Sequence, residues 1–288
     1  MKKFYWLLIL ILMNLNSAFS QDDNCRNLIL DYRGFIESDS TKWSLTLIKD
    51  ETIVLLYYGA AHSKDPSHIQ FSEIENAWRK SKFDIALFEG PNRGFLTTKN
   101  ETIEKLGESG FLRFLASQDS VETQSLEPNP VHEAQYLSQY FSIEKIKLFY
   151  LIREANRVRE SFLWDEVQIK SHIENVLLKA NALDIINDTI LTIRDIEDSF
   201  KKYWGHELKW WQAPSNWFDP LQESENTGGI FTNDVNRYSS NYRNFHMYEL
   251  ITGLLRNNKR VFAVVGRNHI PMQSKALQCE WEKTTTAE

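Results

Sequence analysis

The chain has 288 residues, 42% of them hydrophobic and 13% aromatic, with 33 Lys and Arg against 39 Asp and Glu. That length is enough for one large domain with a packed core. The net charge of −6 and the absence of a basic stripe argue against nucleic acid as the main partner.

Residues 1–20 read as a signal peptide. Met1-Lys2-Lys3 is a positive start, residues 4–15 are apolar, and Ala18-Phe19-Ser20 is a small-residue cleavage pattern, with cleavage predicted after Ser20. The apolar run is shorter than the roughly 20 residues that a membrane span needs, and no later segment is long or apolar enough. The mature chain is therefore expected to be exported, periplasmic or secreted, with no membrane span. It keeps two cysteines, Cys25 and Cys279, near its opposite ends. In an oxidising compartment they either pair, closing a long loop, or remain as two thiols. Neither sits in a metal-binding or redox spacing.

Residues 43–49 and 52–58 are two β-rich runs separated by Asp50-Glu51, which predicts a hairpin. The second run leads into Gly59-Ala60-Ala61-His62. A helix is predicted over 67–82, capped by Ser67, with Ile69, Ile74, Ala77 and Trp78 on its apolar side. Residues 84–88 form a short strand ending at Glu89-Gly90-Pro91. The β-helix-β order fits a parallel crossover, which puts Glu89 at the same sheet edge as His62.

A helix follows over 101–118, then a strand over 122–126 that ends at Glu127. Residues 131–203 have helical periodicity and no glycine or proline, which predicts three or so helices packed over the sheet. The aromatic stretch containing Tyr203, Trp204, Trp210, Trp211, Trp217 and Phe218 is expected to pack that helical layer onto the sheet. A lid or a platform for an apolar or sugar ligand is the alternative. A helix is predicted over 241–256. Arg260-Val261-Phe262-Ala263-Val264-Val265 then runs into Gly266-Arg267-Asn268-His269, a second buried-strand pattern ending in G-x-x-H. A last helix over 272–281 precedes a loose tail over 284–288. The expected fold is α+β (mixed α/β), a central sheet with parallel crossover units and a large helical layer. It forms a single domain over 21–288 with a helical insertion at about 131–205.

The functional signal is the repeated G-x-x-H. Ligands of open α/β sheets bind beyond the carboxyl ends of the strands, so two such strands lying close together would aim two imidazoles into one crevice. His62, His269 and Glu89 then make a ligand set suited to zinc, manganese or cobalt, with positions left for water and a small-molecule or peptide substrate. A metal-free version is equally coherent, with one histidine as general base, a carboxylate orienting it and the other histidine stabilising developing charge. Arg243 is the candidate for gripping an anionic or carbonyl group. Glu127 and His68 are weaker candidates by position. His132-Glu133 and His206-Glu207 begin zinc-protease-like motifs, but Tyr136 and Trp210 stand where the second histidine belongs. There is no G-x-S-x-G elbow and no phosphate-binding loop.

At these residues the chain resembles the TraB/GumN/Tiki families and their erythromycin-esterase-like and ChaN-like relatives. The matching features are Gly59-Ala60-Ala61-His62, Phe88-Glu89-Gly90-Pro91, Arg243-Asn244 with Met247, and Val265-Gly266-Arg267-Asn268-His269. The resemblance implies an α+β fold whose paired histidines and glutamate form an active site, and with it a metal-dependent hydrolase of peptide or ester bonds. It also leaves a second class open, a non-catalytic envelope protein that binds haem, iron or a peptide in the same crevice.

Overall fold

A computed structural model describes residues 23–36, 43–182 and 189–286; the signal segment expected over 1–20 lies outside them. The chain divides into two compact units, Met1–Glu127 with Asn244–Glu288, and Pro128–Arg243.

The first unit is a mixed α/β fold. Two short helices, α1 (Asp23–Arg26) and α2 (Tyr32–Ile36), precede strands β1 (Ser44–Lys49) and β2 (Thr52–Ala60). These two pair antiparallel around Asp50 and Glu51, whose φ values of 47° and 65° suit a two-residue turn that matches strand twist. Helix α3 (Ile69–Arg79), β3 (Ile85–Phe88), α4 (Lys99–Gln118) and β4 (Glu122–Ser125) follow. The sheet order is β1-β2-β5-β3-β4, where β5 is Val261–Gly266, and β2, β5, β3 and β4 are parallel. The last strand of the sequence thus lies between the two strands of the first crossover.

Alternation along the parallel strands explains why they read as unbroken apolar runs. Leu55, Tyr57, Ile85, Leu87, Val261, Ala263 and Val265 share a core with Met247, Tyr248, Ile251, Ile270 and Leu277. Leu56, Ala86, Phe88, Phe262 and Val264 face the other way and pack on Phe71, Ile74 and Trp78 of α3 and Ile103, Phe111 and Leu112 of α4. With both faces covered, each full side chain removed from water contributes about 1.5–3 kcal/mol. Cys25 and Cys279 are bonded, with Cα atoms 5.5 Å apart and a separation of 254 residues, so the pairing alternative is the one realised.

Three local expectations are corrected. Helix α3 is capped by His68, whose side chain accepts from Gln70 N, while Ser67 Oγ donates to Asp65 Oδ1. Helix α4 is broken at Gly107, which has φ 62° and ψ −152°. The final helix α11 (His269–Thr286) begins at the motif histidine itself rather than at residue 272, since Pro271 falls in the first turn, where its missing N–H costs no helical bond.

The second unit is helical, with α5 (Pro130–Leu137), α6 (Ile143–Phe162), α7 (Glu166–Ala180), α8 (Ile193–Trp204) and α9 (Ser224–Thr227). The insertion expected at about 131–205 falls inside this unit, which continues to Arg243. The aromatic residues expected to pack a helical layer onto the sheet share a core within this unit. Trp204 and Trp217 stack at 4.9 Å, and Trp210 and Trp217 are buried among Phe149, Ile152, Ile196 and Phe200. Helix α10 (Thr232–Arg256) starts nine residues before the expected 241. Its first turns are polar but buried: Asn233 Nδ2 donates to the Asn216 and Asp219 carbonyls, and Asn236 Nδ2 to that of Phe218. Buried polar residues of this kind conceal an apolar stripe from a reading of hydrophobic period.

Candidate active site

The register of β2 on β5 joins the two G-x-x-H turns. Gly59 lies opposite Val265 and Ala60 opposite Gly266, and beyond the ladder Arg267 N donates to Ala60 O at 3.0 Å. Both glycines are sites of close approach. A Cβ at Gly59 would lie 2.7 Å from Arg267 Cα, and one at Gly266 would lie 2.7 Å from His62 Nε2 and 3.2 Å from Glu89 Oε2. The space beside Gly266 is therefore the space that the His62 ring and the Glu89 carboxylate occupy.

Each candidate side chain is fixed by identifiable contacts. His62 has left-handed backbone, φ 53°, and its Nδ1 stands 2.6 Å from Glu108 Oε1. A carboxylate oxygen accepts, so Nδ1 carries the proton in that contact. Glu108 directly follows the break at Gly107, where a Cβ would lie 3.4 Å from Ser63 O. That break thus sits against the loop carrying His62. Ala61 N donates to the buried Gln70 Oε1 at 2.8 Å, which ties the same turn to α3.

Glu89 connects the two motifs. Its Oε2 accepts from Gly266 N at 2.6 Å and its Oε1 lies 3.6 Å from His269 Nε2. Ser109 Oγ donates to its carbonyl at 2.7 Å, and Gly90 N donates to Glu127 Oε1 at 2.9 Å. Glu127 therefore holds the turn after β3. His269 is buried at the start of α11, with Nδ1 2.6 Å from Asn244 Oδ1. That oxygen also accepts from Gln273 Nε2 at 2.9 Å, so it is the acceptor and His269 Nδ1 the donor.

Exposure grades across the set. The His62 side chain is 64% exposed, Glu89 18%, Glu108 10% and His269 7%. One imidazole faces solvent and the other is enclosed.

The structure thus brings His62, Glu89 and His269 to one sheet edge, and adds Glu108 and Asn244. Arg243 is half-buried on α10 as the last residue of the second unit, and the α10 contact to His269 is made by its neighbour Asn244. His68 serves as the cap of α3. Glu108 gave little signal in the sequence, because its cue is a glycine inside a helix one residue before it.

Among the described residues, no three His, Cys, Asp or Glu side chains are gathered closely enough to hold a metal ion, and no helix is long and apolar enough to cross a membrane. Comparison with protein-family models, curated proteins and solved structures finds no match.

Proposed function

We propose that this chain is an exported hydrolase of ester or peptide bonds whose active site is built from His62, Glu89 and His269. The observation that carries the reading is the pair of imidazoles at one sheet edge, each with Nδ1 held by a side-chain acceptor and with the Glu89 carboxylate between the motifs. An Nδ1 held in this way sets the tautomer in which Nε2 receives a proton. His62 is then the general base toward water, and Glu108 orients it and steadies the imidazolium as it forms. Buried His269, with Nδ1–H on Asn244, meets charge developing on the substrate carbonyl as an imidazolium, whose second N–H at Nε2 is the donor and whose charge the Glu89 carboxylate at 3.6 Å balances. The motif order and the mostly parallel sheet support the TraB/GumN/Tiki-like assignment within the same proposal. The Cys25–Cys279 bond supports export, since disulfides persist in oxidising compartments.

A divalent cation is the second reading. The donor types suit zinc, manganese or cobalt held by His62, Glu89 and His269, and acceptors on the far ring nitrogens are a common feature of metal-ligating histidines. Such an ion would acidify a bound water. Base-assisted hydrolysis is the reading we place first, because the Glu108 carboxylate holds Nδ1 of the exposed His62 ring.

The test uses mature protein on a panel of nitrophenyl esters and fluorogenic peptides, with chelator or with added zinc, manganese or cobalt. Chelator-resistant turnover that falls at least about a hundredfold in His62→Ala and His269→Ala supports base catalysis. Turnover lost to chelator and restored by one ion supports the metal reading. Equal turnover in all three proteins overturns both. So does no turnover together with a visible absorbance band on adding haem, the signature of a binding protein.

A further inference from the structure

We infer that Arg113 and Arg93 form a binding site for an oxyanion, a carboxylate or phosphate group, at the loop that follows β3. Arg113 lies on α4 and is 3% exposed. Its Nε donates to Gly94 O at 2.8 Å, and its guanidinium carbon sits 4.3 Å from the centre of the Phe88 ring. Among the described residues it makes no other hydrogen bond and has no carboxylate within ion-pair distance, and its Nη1 is enclosed without a partner. Burial pushes its pKa down to about 10, with repulsion from Arg93 adding to the effect.

A buried cation without a counter-ion is costly, and a cation–π contact on one ring offsets only part of that cost. An oxyanion removes the penalty, and the fork of a guanidinium matches two of its oxygens. The loop that accepts from Arg113 Nε is uncrowded: a Cβ placed at Gly90 or at Gly94 would meet nothing within 4 Å. Arg93, which lies between them in sequence, is exposed. The location is also specific. Ser109, one helical turn before Arg113, donates to the Glu89 carbonyl at 2.7 Å, so neighbouring turns of α4 hold the candidate catalytic loop and present the guanidinium. Resting on the hydrolase reading, this names a substrate class, an ester or peptide with a carboxylate or phosphate group near the bond that is cut.

The mature protein is titrated by calorimetry with inorganic phosphate and with acetate, at matched ionic strength in chloride, as wild type, Arg113→Gln, Arg113→Met and Arg93→Ala. Saturable binding by the wild type that weakens about tenfold or more in Arg113→Gln, and several-fold in Arg93→Ala, supports the site. The anion that binds more tightly names the group recognised. Arg113→Met keeps bulk over Phe88 without the charge. It should leave the ligand-free melting temperature unchanged or raised while abolishing the rise that phosphate produces. Absence of saturable binding in the wild type, or equal binding in the Arg113 variants, overturns the proposal. Saturable anion binding by a wild type that turns over no ester or peptide counts against the hydrolase reading alone.

Discussion

His62 Nδ1 lies 2.6 Å from Glu108 Oε1, and the two side chains come from opposite sides of a strained junction. His62 has φ 53° and Glu108 follows the helix break at Gly107, so two backbone irregularities meet at one contact. Left-handed residues other than glycine persist where surrounding structure holds them, and they cluster at functional sites.

The first prediction tests that contact. Glu108→Gln keeps size and a hydrogen-bonding oxygen but cannot steady an imidazolium. Turnover on whichever ester or peptide the wild type cleaves should fall about 10–100-fold with KM little changed. Steady-state kinetics beside far-UV circular dichroism measure both. Wild-type turnover would remove Glu108 from the site.

The two motif glycines should separate under mutation. A Cβ at Gly266 meets the end of a solvent-exposed ring, His62 Nε2 at 2.7 Å, which is able to swing away. Gly266→Ala is therefore expected to fold with a melting temperature within a few degrees of wild type, yet to lose up to about a hundredfold in turnover as His62 is displaced. At Gly59 two of the three obstacles are backbone, Arg267 Cα at 2.7 Å and Trp43 O at 2.9 Å, and the third is the buried Ile270 Cγ1 at 2.8 Å. Gly59→Ala should cost about 1–3 kcal/mol in urea denaturation. If the two variants behave alike, the division between site and scaffold fails.

This contrast also shows what could be read from sequence. The strand-plus-G-x-x-H pattern was legible because buried parallel strands are apolar throughout and end at glycines that close packing requires. Glu89 was legible because a crossover of one helix returns the chain to the same edge. Glu108 and Asn244 were not, since both sit inside helices where the local pattern records only which face is buried. Asn244 belongs to the Arg243-Asn244 feature that carries the resemblance, but nothing in the sequence pattern marks its amide as the partner of His269 Nδ1. The start of α10 escaped because Asn233 and Asn236 are buried through hydrogen bonds to loop carbonyls, contacts that no periodicity encodes.

Acid sensitivity should report the join between β3 and β5. Arg260 Nη2 lies 2.7 Å from Asp84 Oδ1, and Arg260 N and Nε both donate to Oδ2. The Arg260 side-chain hydrogen bond is the largest cause holding the Asp84 carboxyl below its ordinary value. A group depressed in the folded state contributes stability above its unfolded pKa, about 4, and loses it as pH falls toward the folded value. Asp84→Asn should therefore lower stability at pH 7 by about 1 kcal/mol or less, given the partial exposure of the pair, and flatten its decline below pH 4. Denaturation midpoints at pH 7 and pH 3 give the slope. A variant with the wild-type slope would assign the acid response to other carboxylates.

The Cys25–Cys279 bond should matter more for stability than for chemistry. It fastens α1 to α11, the helix that begins with His269. Beside it Leu30 N donates to Met272 O of α11 at 2.9 Å, and Arg26 of α1 lies 4.8 Å from the centre of the Phe245 ring on α10. Closing a loop of this length restricts the unfolded chain strongly, and losing a native disulfide costs about 2–5 kcal/mol. The first turns of α11 are held independently by Ile270, Ala276 and Leu277 against the sheet, so His269 should stay in place without the bond. Cys25→Ser with Cys279→Ser should therefore lower the urea midpoint by an amount matching that loss. Well below its melting temperature, the double variant should keep wild-type turnover. Thiol titration of the denatured wild type should find neither cysteine reactive before reduction and both afterwards. Reactive thiols in the unreduced protein would refute the pairing, and a drop in turnover without unfolding would show that α11 depends on the bond to present His269.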